Sequence, residues 1–108
     1  MKVKCIKSDE WLKFGREYLV LSIYGRRDGF KYRLIADGES TPALHDADLF
    51  HLVSSKIPNG WIFRTFPNAE WEMTPSAWAI DGFWAAYFDG ERNANRLFDD
   101  TLRTLQED

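Results

Sequence analysis

Glu17-Tyr18-Leu19-Val20-Leu21-Ser22-Ile23-Tyr24-Gly25-Arg26-Arg27-Asp28-Gly29-Phe30-Lys31-Tyr32-Arg33-Leu34-Ile35-Ala36 is the stretch on which the fold turns. Its first eight residues are rich in β-branched and aromatic side chains, which suit a pleated, half-buried surface. The near-continuous apolar run predicts a strand that is buried on both faces or that bends. Gly25 to Gly29 supplies a turn. Beyond it, Phe30, Tyr32 and Leu34 alternate with Lys31 and Arg33, so the rings take one face and the cations the other. Asp37-Gly38 then signals a tight turn.

The neighbouring segments extend this pattern in both directions. Val3 and Cys5 alternate with Lys4 and Ile6, giving an N-terminal strand. A further strand is expected near residues 40–44, where Pro42 restricts it to an edge or a bulge. Phe50-His51-Leu52-Val53-Ser54 follows. Several short strands joined by tight turns favour a small curled sheet or barrel, since closing a sheet removes exposed edges.

Residues 54–60 form a turn-rich connector. Trp61 to Phe66 and Ala69 to Thr74 flank Pro67-Asn68 and read as a hairpin. Trp71 and Met73 share one of its faces, and Glu70 and Glu72 the other. Pro75 ends the hairpin, and Asp81 is the expected N-cap of a short helix over 82–88. Ala94, Leu97, Phe98, Thr101, Leu102 and Leu105 repeat at helical spacing and define a last helix. Asp89 is placed to cap it, with Glu91 in its first turn. The expected fold is α+β: a curled antiparallel sheet plus a hairpin, with C-terminal helices packed on it. Residues 1–108 read as a single domain, strand-rich over 1–74 and helical over 76–106.

Val3-Lys4-Cys5-Ile6, Leu12 to Leu21 with its Gly15-x-x-Tyr18-x-Val20 pattern, Tyr32 to Glu39, Ala43-Leu44 and Leu49-Phe50 together resemble small SH3-like barrel proteins of bacteria and phages. The resemblance covers about half of the chain and implies an SH3-like barrel there. The aromatic groove of peptide-binding SH3 domains has no counterpart in these residues.

Charge and composition narrow the function. The chain has 14 Lys and Arg against 17 Asp and Glu, a net of −3. Residues 1–60 hold ten basic and eight acidic side chains, whereas residues 61–108 hold four and nine. Such a balance argues against nucleic acid, whose binders concentrate basic residues on one face. An acidic half suits a basic partner. A lone Cys5 forms no internal disulfide. No apolar run approaches the roughly 20 residues of a membrane span, and the first residues lack a signal-peptide hydrophobic region. A cytoplasmic protein is expected.

Six of the twenty residues from Trp71 to Gly90 are aromatic, and no nucleophile–base pair, phosphate loop or cofactor motif accompanies them. His45 and His51, with Asp46 and Asp48, match no defined zinc spacing and read as polar loop residues. Cys5 reads as a small buried strand residue. Asp99-Asp100 lies on an exposed helix face, which does not raise a pKa as an apolar pocket does. The expectation is therefore neither an enzyme nor a cofactor protein, but a binding protein. Its size, acidity and rings resemble the immunity proteins of contact-dependent and polymorphic toxin systems. That resemblance implies a cognate toxin domain, a nuclease, as partner, with its basic cleft occluded. Glu70, Trp71, Glu72, Asp89, Glu91, Asp46 and Asp48 are the expected contacts. The alternative is an SH3-like module binding nucleic acid or a ribonucleoprotein through Arg26, Arg27, Lys31 and Arg33. An enzyme using His45 and Asp48 ranks last.

Overall fold

A computed structural model describes residues 1–107 of the chain. Eight strands run in order: β1 (Lys2–Cys5), β2 (Glu17–Leu19), β3 (Ser22–Arg26), β4 (Gly29–Leu34), β5 (Ala43–Asp46), β6 (Phe50–Ser54), β7 (Trp61–Phe66) and β8 (Glu70–Pro75). Two helices follow, α1 (Phe83–Phe88) and α2 (Arg92–Gln106). The strands form two antiparallel sheets, ordered β2-β1-β6 and β5-β4-β3-β8-β7. The fold is α+β, with curled sheets and a C-terminal helix pair.

The expected strand over 17–24 divides at Val20-Leu21. The Val20 N–H donates to the Met1 carbonyl at 3.0 Å, whereas the Leu21 N–H donates to that of Arg33 at 2.8 Å. Adjacent residues are thus tied to different sheets, and both are buried. Val20 packs with Val3, Cys5, Leu12, Tyr18, Ile23, Tyr32, Leu34 and Phe50 in a first core. Leu21 packs with Trp78, Phe83, Tyr87, Phe98 and Leu105 in a second. Trp61 touches both.

The long loop between β1 and β2 folds back on the first core. The Tyr18 hydroxyl accepts from the Lys13 N–H at 3.0 Å and donates to Asp37 at 3.2 Å. Arg16 reaches the same carboxylate at 2.9 Å.

Gly25 belongs to β3 and lies outside the turn expected over 25–29. The connection is only Arg27-Asp28, because Arg26 and Gly29 already pair. Gly25 sits beneath the Trp71 indole; a Cβ built on it would lie 1.8 Å from Trp71 Cε2. Glycine here makes room for a ring. β5 begins after the buried Pro42, later than the sequence suggested.

The β7–β8 hairpin falls where the sequence placed it. Its turn holds two left-handed residues, Asn68 (φ 66°) and Ala69 (φ 63°). Asparagine tolerates that region, but alanine's Cβ opposes it.

The helix caps differ from expectation. Gly82, with φ 78°, occupies the N-cap of α1. Asp81 is exposed and lies 3.7 Å from Arg64. Asp89 is the C-cap of α1, and Glu91 is the N-cap of α2 without a side-chain bond. Asn95 instead ties the corner, donating to the Tyr87 and Glu91 carbonyls at 3.0 Å each. The apolar stripe of α2 meets the sheet and α1 as its spacing predicts, with Phe98 and Leu105 buried. Trp78 stacks on Phe98 at 5.0 Å and on Phe83 at 6.3 Å. No helix among the described residues is long and apolar enough to cross a membrane.

Relief of the Ala69 strain is measurable. Ala69→Gly is expected to raise unfolding stability by about 0.5–1 kcal/mol, after allowing for glycine's greater freedom when unfolded. A shift of the urea midpoint at constant slope would register it.

Candidate functional site: an aromatic shelf with an acidic margin

Strand alternation puts Ile23, Tyr32 and Met73 on the face that meets the first core. Two residues along, the same face carries Gly25, Phe30 and Trp71. Gly25 stands opposite Trp71 on one side and Phe30 on the other. Phe63 lies beyond, on β7. Ring centroids are 5.8 Å apart for Phe63 and Trp71, and 6.3 Å for Trp71 and Phe30. Phe30 continues edge-on to Tyr32 at 5.5 Å. Phe63 is 60 % exposed and Phe30 41 %, while Trp71 is half-buried between them. The three rings form a solvent-facing shelf that prolongs the core face.

Phe30 also borders a cleft of about 160 Å³ shared with Arg26, Asp28, Gly29, Lys31, Asp46, Ala47 and Asp48. The cleft forms where β5 ends and leaves the edge of Gly29 and Phe30 open. Lys31 pairs with Asp46 at 3.3 Å. Asp28 and Asp48 have no ion-pair partner among the described residues, so the margin of the shelf keeps free carboxylates.

The expected contact residues separate in space. Asp46 and Asp48 border the cleft beside Phe30, which adjoins Trp71, but Asp46 pairs with Lys31 on the face opposite the shelf. Glu70 shares the opposite face with Tyr24, whose hydroxyl donates to it. Glu72 is buried at 6 % exposure and paired with Arg64, so it is unavailable as a surface contact. Asp89 and Glu91 are exposed at the α1–α2 corner, in the helical layer on the other side of the sheet. Neither Phe30 nor Phe63 is among the contacts expected from the sequence. The signal available was a glycine in a strand-forming run, which marks close approach of another group.

The basic cluster is split: Arg26 and Arg27 stay exposed at the β3–β4 turn, while Arg33 is buried. Arg33 takes the face opposite the rings, as the alternation predicts, but the helices cover that face and leave it 8 % exposed. Its guanidinium lies 4.0 Å from the Trp84 ring centroid, and its Nε donates to Ser22 Oγ at 3.2 Å. Burial pushes its pKa down to about 10, against the opposing charge of Glu72. Lys31 is paired, and Arg26 lies over the Tyr24 ring at 5.7 Å.

His45 and His51 fall in different sheets, on β5 and β6. No group of three His, Cys, Asp or Glu among the described residues is arranged to hold a metal ion. His45 is half-buried, its Nε2 enclosed without a partner. It borders a second cleft with Trp11, Glu39 and Thr41. Burial lowers its pKa and Lys31 adds to this, against Asp9 and Asp46. Cys5 is buried, with its thiol donating to the Lys7 carbonyl at 3.2 Å.

No family model matches the chain, and neither a curated protein nor a solved structure shows significant similarity to it.

Two outcomes follow from these environments. His45 resists protonation in the fold, so the unfolded chain binds a proton first as pH falls through about 6.5. Its contribution to stability is present above that pH and is lost below it, and His45→Gln should flatten the dependence of the urea midpoint between neutral and mildly acid pH. Arg33→Lys keeps the charge but loses the planar stack on Trp84, at an expected cost of about 1–2 kcal/mol in the same assay.

Proposed function

We propose that this chain is a protein-binding module that acts as an immunity protein, neutralising a toxin domain by covering its basic, nuclease-type cleft. The observation that carries this reading is the shelf of Phe30, Trp71 and Phe63, open to solvent beside the carboxylates of Asp28 and Asp48, which have no ion-pair partner among the described residues. Rings supply the area that anchors a protein interface, and hot spots concentrate in Trp, Tyr and Arg. Carboxylates at the margin steer a basic partner and reject acidic ones. The surplus of acidic over basic residues in the C-terminal half acts in the same direction.

The connectivity supports an SH3-like reading of the first half. β1 pairs with β6, β3 to β5 form a meander, and a 3-10 turn (Ala47–Leu49) joins β5 to β6. The nucleic-acid alternative loses support, because Arg33 is sealed beneath Trp84 and Lys31 is already paired.

The test is direct binding to the C-terminal domain of a toxin encoded beside this chain, followed by calorimetry or interferometry. Trp71→Ala is expected to weaken the complex by about 2–4 kcal/mol, roughly 30- to 1,000-fold. The double change Asp28→Asn with Asp48→Asn should slow association and reduce its salt dependence. Asp99→Asn, on the exposed face of α2, should leave both unchanged. A tight complex indifferent to Trp71 and to the two aspartates would refute the proposal.

A further inference from the structure

We propose that β7 is the contact through which two copies of this chain associate, edge to edge, into one continuous sheet. β7 is the outermost strand of the five-stranded sheet. The Ser76 N–H donates to the Gly60 carbonyl at 2.8 Å, which sets the phase of the β7–β8 ladder. Antiparallel ladders alternate, so Ile62, Arg64 and Phe66 bond to β8, while Trp61, Phe63 and Thr65 turn their N–H and C=O groups outward. Among the described residues, the Trp61 N–H alone of these donors is engaged, reaching the Pro58 carbonyl at 3.4 Å.

Proteins usually protect such an edge with lysine, proline, an inward charge or a bulge. β7 has no lysine, proline or bulge within it. Its pairing with β8 runs without a register break from Trp61 to Phe66. Its one charge, Arg64, is drawn away to Glu72, the Ala79 carbonyl and Asp81. Ile62 and Phe63 are left exposed along the strand. The other outer strands are guarded. β2 has only three residues and carries the exposed Glu17, β5 follows Pro42 and ends in Asp46, and β6 is bulged against β1 and presents His51.

The edge is self-complementary, which selects a second copy as its occupant. A two-fold axis at Phe63 places that residue opposite itself and Thr65 opposite Trp61, so all three outward residues meet. Phe63 then exchanges N–H to C=O bonds with its copy, and the two rings become cross-strand neighbours. On the other face Ile62 meets Arg64. Shifting the axis to Arg64 would instead oppose two arginines. In the Phe63-centred pair the two aromatic shelves join across the axis, with both left open to solvent on the same face. The inference is independent of the immunity reading, because it needs no partner other than the chain itself.

The isolated protein should sediment as a dimer at high concentration and dissociate on dilution to its 12.6 kDa chain. Phe63→Lys and Thr65→Pro alter only outward-facing positions, and each should raise the dissociation constant at least about tenfold, since a charge or a proline blocks an edge. Circular dichroism would verify that both still fold. The register has its own readout: two-fold pairing brings the Phe63 Cα atoms to about 5.5 Å, within disulfide reach. Phe63→Cys should therefore form an intermolecular disulfide under mild oxidation, and Thr65→Cys should not. A monomer at every concentration, a dimer unaffected by both edge variants, or equal cross-linking at the two cysteine positions would overturn the proposal. None of these results depends on binding to a toxin domain.

Discussion

Val20 and Leu21 are consecutive, both are buried, and they enter different cores. An extended chain sends adjacent side chains to opposite faces, so the segment must run between two apolar layers. The backbone records the same division, with one N–H bonded to each sheet. Most of the architecture follows from this. β2 stays with β1 and β6 over the first core. β3 leads into the larger sheet, whose other face takes the helices. The β7–β8 hairpin adds to that sheet on the far side of β3 and reaches past the first core's cover. The shelf of Phe63, Trp71 and Phe30 is the part of the core face left open there.

The opposite face shows how charge is accommodated beneath the helices. Ser22, Arg33, Glu72 and Thr74 are buried between the sheet and the helical layer. Burying an isolated charge is costly, and each one here has a partner. Arg64 pairs with Glu72, Glu72 opposes Arg33, and Arg33 rests on Trp84 and Ser22. The signs alternate along this line. Removing Glu72 would leave the buried Arg33 without an opposite charge beside it. The same arrangement withdraws Glu72 and Arg33 from the surface.

The shelf and the bare β7 edge are adjacent but present different chemistry. The shelf offers ring faces with negative charge at its margin, suited to a basic protein surface. The edge offers unpaired backbone groups, suited to another strand. Phe63 belongs to both, through its ring in one case and its main chain in the other. A paired edge would widen the shelf without covering it, because strand pairing lies in the plane of the sheet and the rings stand perpendicular to it.

Local signals in the sequence determined the elements themselves. Alternation of Phe30, Tyr32 and Leu34 marked β4, Pro67-Asn68 marked the hairpin turn, and the spacing from Ala94 to Leu105 marked α2. These patterns depend on residues close along the chain, so they are legible without the fold. Burial of Cys5 and exposure of the Asp99-Asp100 face were legible for the same reason. Only the tertiary structure decided which face of a strand meets water. Arg33 and Glu72 alternate with apolar residues as solvated side chains do, yet helices distant in sequence cover them. Gly25 resembled a turn residue until Trp71, 46 positions later, was laid across it. The acidic residues divided among three places, because their grouping depends on how β5, β8 and the α1–α2 corner pack. Sequence proximity fixes backbone conformation over a few residues, whereas exposure and charge pairing are set by whatever the rest of the chain brings alongside.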